Sequence, residues 1–257
     1  MKLFYREMGS GSETLLILHG LFGLSDNWVS LARRYAEKYR VIIPDLRNHG
    51  QTMHSDVFTY EAMLADIEEF VEDLELPSVN ILGHSMGGKL AMQFALRNSY
   101  RVDKLIVADI SPVPYPPTRH VDILETMKSI DFSAFDTRTK IEQYLFNTMN
   151  DAGIVGLLLK NITRLRDDRF AWKLNIEAIS ENIAGIFDFY VFDKRVFKKP
   201  TLFIKGSLSD FVKDDHLPAI QQYFSNYRLE TIENATHWLH AEQPDAFFEL
   251  TYDFLKK

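Results

Sequence analysis

The segment 79–88, VNILGHSMGG, places a serine between two glycines directly after a run of apolar residues. This G-x-S-x-G spacing is typical of a sharp turn from a strand into a helix that exposes the serine hydroxyl. Such a turn strains the backbone at Ser85, and Gly83 and Gly87 remove side chains that would collide across it. The segment therefore predicts Ser85 as the nucleophile of an acyl-transfer reaction.

A serine nucleophile needs a base, and the C-terminal segment offers two histidines. Residues 229–247, LETIENATHWLHAEQPDAF, predict a last strand, a loop and a final helix. His237 comes first after the strand, so we expect it to be the general base and His240 to be structural. His84 adjoins the serine but points elsewhere on the turn, and we expect it to pack or to form a hydrogen bond rather than to act as the base. The two loop histidines lack a third ligand at metal-site spacing.

The histidine needs an acid, and two aspartates fit the chain order of serine, acid and histidine. Asp109 follows the apolar run LIVA, and Asp210 lies in FIKGSLSDF after the run TLFI. The acid must be a buried carboxylate that accepts the N–H of His237 and so fixes its tautomer. Spacing alone leaves both residues open.

The segment 15–23, LLILHGLFG, predicts a strand that runs into a glycine-containing loop. Acyl transfer needs two backbone N–H groups aimed at the oxygen anion that develops on the carbonyl. The usual pair is the residue after the nucleophile and one in the loop after this earlier strand. We therefore expect Met86 and Leu21 to form the oxyanion hole, with His19 organising the loop.

The chain around these motifs alternates regularly between strand and helix patterns. Helical spacing is present over 60–74 and over 89–97, and the second of these segments follows the third apolar run directly. Alternating strands and helices predict a mostly parallel sheet covered on both faces, with ligands bound beyond the carboxyl ends of its strands. The five runs read as buried strands are LLIL (15–18), VII (41–43), VNIL (79–82), LIVA (105–108) and TLFI (201–204).

The alternation stops between the fourth and fifth runs. Residues 111–117, SPVPYPP, cannot continue a helix, and the following segment reads as helices alone, for example over 121–128, 140–149 and 175–186. An all-helical block between two strands of a parallel sheet indicates an inserted cap over the site. We expect a core of residues 1–112 and 200–257 and a helical cap of residues 113–199.

Composition narrows the function further. The chain has 257 residues, a net charge of −7 and no cysteine. The absence of a basic stripe argues against a nucleic-acid partner, and the absence of cysteine excludes disulfides and zinc–thiolate sites. The apolar runs are too short for a signal peptide or a membrane span, so we expect a cytoplasmic protein without a membrane partner. A monomer and a homodimer fit equally well.

Five motifs together resemble the alpha/beta-hydrolase-fold serine hydrolases, and more narrowly the YbfF-type esterases. The resemblance implies an α/β fold with a mostly parallel central sheet, helices on both faces and an inserted helical cap. It extends over nearly the whole chain, and the cap is its least informative part. The motifs are HGLFG (19–23), DLRNHG (45–50), GHSMGGK (83–89), DISPV (109–113) and HWLHAEQPDAF (237–247).

The same resemblance suggests roles for further residues. It implies that the acid is Asp109 and that Ser209 is a fourth hydrogen-bonding member, so we favour Asp109 and keep Asp210 as the alternate. Arg119 matches the family's substrate anchor, and a planar guanidinium suits a carboxylate or phosphate. In DLRNHG, Asp45 is expected to brace its loop with Arg47. Further candidates for substrate contact are Phe22, Phe211 and Trp238.

The expected activity is hydrolysis of small acyl esters, and by resemblance of acyl-coenzyme A thioesters, through an acyl-enzyme on Ser85. This chemistry implies no metal and no organic cofactor. Two alternatives remain. One is a cofactor-free perhydrolase or haloperoxidase-like enzyme that uses the same triad with peroxide in place of water. The other is a non-catalytic ligand receptor that retains the hydrolase fold.

Overall fold

The computed structural model describes residues 1–189 and 195–257, except the side chain of Arg119. Its strands are β1 (Tyr5–Met8), β2 (Thr14–Leu18), β3 (Arg40–Pro44), β4 (Val79–His84), β5 (Val102–Ala108), β6 (Ile162–Arg164), β7 (Phe170–Trp172), β8 (Thr201–Gly206) and β9 (Tyr227–Ile232). Within the described ranges, seven strands form one sheet in the order β1-β3-β2-β4-β5-β8-β9. Among the described strands of this sheet, only the edge pair β1 and β3 is antiparallel.

Helices cover both faces of this sheet. They are α1 (Val29–Tyr35), α2 (Tyr60–Asp73), α3 (Met86–Arg97), α4 (Thr118–Ser129), α5 (Arg138–Met149), α6 (Ala152–Lys160), α7 (Ile176–Phe187), α8 (Leu217–Tyr223), α9 (Leu239–Glu242) and α10 (Pro244–Lys256). The two helices predicted by spacing before the fourth strand run are confirmed as α2 and α3. In the described ranges, no helix combines the length and the apolar character that a membrane span requires.

The central strands are apolar throughout because both of their faces are covered. All five residues of β2 are buried. Leu16 and Leu18 belong to the core on the face of α2 and α3, whereas Leu15 and Ile17 belong to the core on the face of α1 and α10. Side chains alternate between faces along a strand, so one short apolar run serves two cores at once.

All five predicted apolar strands are present, and the first strand of the sheet was missed. The segment YREM in β1 alternates between exposed and half-buried residues. It lies at the edge of the sheet, where one side of the strand faces solvent. A four-residue segment with two charges carries little of the apolar signal that identified the other strands.

The segment between β5 and β8 contains α4 to α7 and a small hairpin. Helices over 121–128, 140–149 and 175–186 were predicted, and they correspond to α4, α5 and α7. The interpretation of this segment as helices alone was wrong, because β6 pairs with β7 in a separate antiparallel sheet. Strands of three residues are too short to show a period of two in the sequence.

Candidate active site

The tight turn at Ser85 has the geometry that its flanking glycines predict. Ser85 is the single residue between β4 and α3, and its φ of 53° and ψ of −118° lie in a strained region for a non-glycine residue. A Cβ on Gly83 would lie 2.3 Å from the carbonyl oxygen of Gly87, and one on Gly87 would lie 2.3 Å from that of Leu18. Glycine is therefore required on both sides of the turn.

The structure brings Asp109 and His237 together. Nδ1 of His237 lies 2.8 Å from Oδ2 of Asp109, whose carboxylate is fully buried. The other carboxylate oxygen accepts the N–H of Gly206 at 3.1 Å, and the hydroxyl of Ser209 donates to Oδ2. A carboxylate accepts hydrogen bonds from each of these groups, so Nδ1 of His237 carries the proton and donates it. Nε2 is then the unprotonated nitrogen of the neutral ring.

Asp210, the alternate acid, points into solvent. Its side chain is 95% exposed, and Oδ1 lies 3.8 Å from Nζ of Lys213. The ends of the strands explain why Asp109 is buried and Asp210 is exposed. β5 ends directly before Asp109, whereas three further residues separate the end of β8 from Asp210. Within the described residues, no hydrogen bond joins Asp210 to His237.

His84 fastens the histidine loop to the turn. Its Nε2 lies 2.8 Å from the carbonyl oxygen of His237 and donates a hydrogen bond to it. Because His84 directly precedes Ser85, this bond holds the backbone of His237 next to the turn. Burial holds the pKa of His84 well below its usual value, and the neighbouring His240 and His237 add to this effect. His84 is thus an uncharged connector and not a base, in line with its expected packing role.

The loop after β2 lies against the turn. A Cβ on Gly20 would lie 3.3 Å from Cβ of Ser85, so Leu21 follows a residue that contacts the serine closely. Phe22 takes the left-handed conformation, with φ of 62°. Met86 is the first residue of α3, where a backbone N–H has no partner within its own helix. Both predicted donors thus belong to backbone that adjoins Ser85.

Two buried histidines hold this loop. His19 donates from Nδ1 to the carbonyl of Gly20 at 2.9 Å and accepts the N–H of Leu46 on Nε2 at 3.0 Å. His49 donates from Nδ1 to the carbonyl of Arg47 at 2.9 Å and accepts the N–H of Phe22 on Nε2 at 3.2 Å. Burial lowers the pKa of His19 to about 4 and that of His49 to about 3. Both rings are therefore neutral near pH 7.

The expected brace between Asp45 and Arg47 is wrong. Arg47 forms a two-point ion pair with Asp66 of α2, at 2.6 and 2.8 Å. Asp45 instead accepts the backbone N–H groups of Ser25 at 2.6 Å and Gln51 at 2.9 Å. The aspartate does organise the loop, but it does so through backbone donors, while the arginine ties the same loop to a helix.

The predicted substrate contacts take different positions. The ring of Phe211 stacks on that of His237, with centroids 4.1 Å apart. Phe22 is buried and faces the ring of His120, with centroids 6.1 Å apart. Trp238 is half-buried and lines a cavity next to the loop after β2. Arg119 lies in α4, and its side chain is outside the described part of the structure.

His240 and Lys89 are two further buried groups near the site. His240 stacks on Trp28, with centroids 4.3 Å apart and planes within 6°, which agrees with a structural role. Lys89 of the GHSMGGK motif donates to the carbonyls of Val113, Phe187 and Asp188 at 3.0, 2.8 and 2.9 Å. Burial lowers its pKa to about 7, yet three acceptors match the three N–H groups of the charged form.

Sequence reasoning missed His49, Asn161 and Lys89 as supporting residues. Asn161 donates from Nδ2 to the carbonyl of Phe22 at 2.6 Å, across 139 residues of sequence. The only signal for His49 and Lys89 was their membership of the DLRNHG and GHSMGGK motifs. In residues 1–189 and 195–257, no group of three or more potential ligands is placed to hold a metal ion.

Comparisons with known proteins identify the fold family. A family model described as alpha/beta hydrolase fold matches residues 13–149. The chain is 34% identical to the sn-1-specific diacylglycerol lipase ABHD11 of Mus musculus, over 94% of this chain and 80% of the relative. It is 32% identical to esterase YbfF of Escherichia coli, over 90% of this chain and 89% of the relative.

A solved structure, described as a marine microorganism esterase, superimposes closely on this one. The TM-score is 0.96 at 43% sequence identity, and the match covers 98% of this chain and 99% of that structure. The similarity therefore includes the segment between β5 and β8, beyond the residues that the family model matches.

Proposed function

The chain belongs to the alpha/beta hydrolase fold family, and from that premise we propose that it is a serine carboxylesterase acting through an acyl-enzyme. The observation that carries the proposal is the 2.8 Å contact between Nδ1 of His237 and the buried carboxylate of Asp109. That contact leaves Nε2 of the same ring as a base, and His84 holds its loop against the strained turn of Ser85. The named esterase relatives support the same reaction class.

In the first half-reaction, Nε2 of His237 takes the proton of the Ser85 hydroxyl as the oxygen attacks the ester carbonyl carbon. The carbonyl oxygen becomes an anion that accepts the N–H groups of Leu21 and Met86. Asp109 keeps Nδ1 protonated and stabilises the imidazolium. His237 then gives its proton to the leaving oxygen, the alcohol departs, and the acyl group stays on Ser85.

In the second half-reaction, water takes the place of the alcohol. Nε2 of His237 removes a proton from the water as its oxygen attacks the acyl carbon, and the same two N–H groups bind the second oxyanion. The bond to Ser85 then breaks, and the proton on His237 returns to the serine oxygen. The net change is ester plus water to acid plus alcohol, with no metal ion or organic cofactor in the proposed scheme.

We also propose the domain division 1–112 with 200–257 as the core and 113–199 as a cap. Support comes from Lys89 of α3, which donates to the carbonyl of Val113, where the segment begins, and to that of Phe187, where α7 ends. Tyr115 adds a bond from its N–H to the carbonyl of Phe187 at 2.8 Å. The start of the segment and the end of α7 therefore meet at Lys89 of α3, which supports an insertion packed against the core.

Replacement of the nucleophile tests the proposed reaction. Ser85→Ala removes the attacking oxygen, so we expect turnover of p-nitrophenyl butyrate to fall by at least about a thousandfold. Labelling by a fluorophosphonate probe should disappear with it, while the circular dichroism spectrum and the melting temperature stay close to those of the unmodified protein. Near-full turnover in this variant, or labelling without turnover in the unmodified protein, would overturn the proposal.

Thioesters of coenzyme A are a finer part of the proposal. The same acyl-enzyme steps cleave a thioester, and Arg119 is our candidate anchor for its phosphates. Arg119→Ala should then lower kcat/KM for butyryl-coenzyme A by about tenfold or more and change that for p-nitrophenyl butyrate by less than about twofold. Equal losses on both substrates would remove the anchoring role.

A further inference from the structure

A cavity of about 350 Å³ adjoins the loop after β2 and lies beneath α6. Gly20 and Leu21 line it, and Leu21 is one of the two proposed oxyanion donors. Trp28 and Trp238 contribute aromatic surface, and Gly156 and Leu157 of α6 also line the cavity. The volume is within the range of about 300–1,000 Å³ that is usual for small-molecule sites.

Gly156 is an unusual choice for this wall. Glycine inside a helix costs about 1 kcal/mol relative to alanine, and a close approach of another chain segment is the common reason to keep it. That reason is absent, because a Cβ at Gly156 would meet no atom within 4 Å beyond its own helix backbone. The missing side chain leaves volume in the cavity instead.

The charges around the cavity favour an uncharged occupant. Lys160 and Glu242 both line it and have opposite signs. The carboxylate of Glu242 already accepts the N–H and the hydroxyl of Thr236, at 2.6 and 2.7 Å. His240 also lines the cavity, and burial lowers its pKa to about 3, so that its ring is neutral. The wall therefore offers apolar surface without a net charge.

The position of the cavity relates it to one side of the ester. The leaving oxygen must receive its proton from His237, so the alcohol lies against His237 and the ring stacked on it, Phe211. His237, Phe211 and Ser85 are not among the residues that line this cavity, whereas Gly20 and Leu21 are. Gly20 connects the cavity to the reacting serine, because a Cβ on Gly20 would lie 3.3 Å from Cβ of Ser85. The acyl group is the part of the ester that needs no contact with the ring of His237, so a cavity that borders the oxyanion loop without that ring suits the acyl group.

We propose that this cavity binds the acyl group of the ester, that the preferred acyl groups are uncharged and apolar, and that Gly156 sets the length accepted. The inference rests on the proposed esterase function and adds a substrate class to it. Its direct consequence is that a side chain at position 156 shortens the accepted acyl chain without touching the reacting atoms.

The test compares two helical glycines of the inserted segment. Gly156→Leu fills the cavity, and Gly185→Leu in α7 is its control, because a Cβ at Gly185 also meets no atom within 4 Å and this glycine lines a different pocket, beside Phe58 and Tyr60. For Gly156→Leu we expect kcat/KM for p-nitrophenyl octanoate to fall at least tenfold and that for p-nitrophenyl acetate to change less than twofold. The control should change less than twofold on both esters.

Two results would overturn the inference. One is an equal loss on acetate and octanoate in Gly156→Leu. The other is a loss that follows alcohol size, measured on ethyl, butyl and benzyl acetates, with no dependence on acyl length. Either would leave the proposed esterase function intact, since the unmodified protein would still hydrolyse these esters.

A binding experiment separates the cavity from catalysis. Trp28 and Trp238 line the cavity, so octanoate bound there should change the tryptophan fluorescence of the Ser85→Ala protein in a saturable way. Addition of Gly156→Leu to that protein should weaken binding at least tenfold, while addition of Gly185→Leu should not. Unchanged binding in the double variant would refute the acyl site, whatever the outcome of the turnover assays.

Discussion

Three histidines near the site form two groups that differ in what their ring nitrogens contact: His237 on one side, and His19 with His49 on the other. His237 has a carboxylate at Nδ1, and its side chain is 14% exposed. His19 and His49 are fully buried, and each donates to a backbone carbonyl and accepts a backbone N–H. Within the described residues, no hydrogen bond is made to Nε2 of His237. One group has a free basic nitrogen, and the other has none.

The difference shows how one residue type serves two purposes. A neutral ring with both nitrogens bonded to backbone is a rigid connector, and burial keeps it neutral by lowering its pKa. A ring backed by a carboxylate can accept a second proton, because the resulting imidazolium is stabilised where it forms. Burial with backbone partners therefore marks a supporting histidine, and contact with a buried carboxylate marks a candidate base.

The largest expected effect comes from a change to Asp109, the carboxylate that His237 contacts. In Asp109→Asn the amide can donate to Nδ1 of His237 and so favour the wrong tautomer, and we expect kcat to fall by roughly a thousandfold to ten-thousandfold. Asp210→Asn is the matched control, because its side chain is 95% exposed and should change kcat less than about twofold. A crippling Asp210→Asn with an active Asp109→Asn would reverse the assignment of the acid.

Loss of a supporting histidine should lower kcat less, because such a residue acts only by positioning the oxyanion loop. His49→Phe removes the acceptor for the N–H of Phe22, which follows the proposed oxyanion donor Leu21. We expect kcat to fall by about ten- to hundredfold, less than the loss of an entire donor, with KM little changed. The exposed His54 provides the control His54→Phe. A loss as large as that of Asp109→Asn would contradict the division into two groups.

The same division predicts how acid affects stability. Burial lowers the pKa of His49 from 6.5 to about 3, so between these values the unfolded chain binds a proton that the folded chain does not. The free energy of unfolding must then fall as the pH falls through this window, by about 1.4 kcal/mol per pH unit for this residue.

His49→Gln can still accept the N–H of Phe22 but does not titrate. Compared with the unmodified protein, it should retain about 2–3 kcal/mol more stability at pH 4.5 relative to pH 6.5. Urea unfolding at the two pH values measures this difference. His19 and buried His84 and His240 titrate in the same direction in both proteins, so the comparison isolates one residue. If both proteins lost the same free energy of unfolding between pH 6.5 and pH 4.5, His49 would already be charged in the folded protein at the lower pH.

Features that depend on local sequence patterns could be predicted, whereas contacts between distant residues could not be predicted from those patterns alone. The alpha/beta-hydrolase fold and the resemblance to YbfF-type esterases were predictable and are confirmed. Buried strands and the turn at Ser85 depend on local patterns that a sequence displays directly. The contact between Asp109 and His237 crosses 128 residues, and chain order alone left Asp210 as an equal candidate.

Other features had no local signal. The bond from Asn161 to the carbonyl of Phe22 joins the inserted segment to the oxyanion loop, and nothing in the sequence pairs these positions. The pairing of Arg47 with Asp66 was also missed, because the DLRNHG motif suggested Asp45 as the partner of Arg47. Partners of buried polar groups depend on which elements pack together, and that is decided by the whole fold.

The smallest effect on kcat is expected at Ser209, which donates to the carboxylate of Asp109, as the proposed base His237 does. Its hydroxyl donates to the same carboxylate oxygen as His237, and Oδ1 keeps the N–H of Gly206. Ser209→Ala leaves the carboxylate and its contact with His237 in place, so we expect kcat to fall only about three- to tenfold, with Ser209→Thr close to the unmodified protein. Turnover of p-nitrophenyl butyrate by the three proteins decides the point. A loss equal to that of Asp109→Asn would mean that the carboxylate cannot position His237 without the serine, and the site would then have four indispensable members.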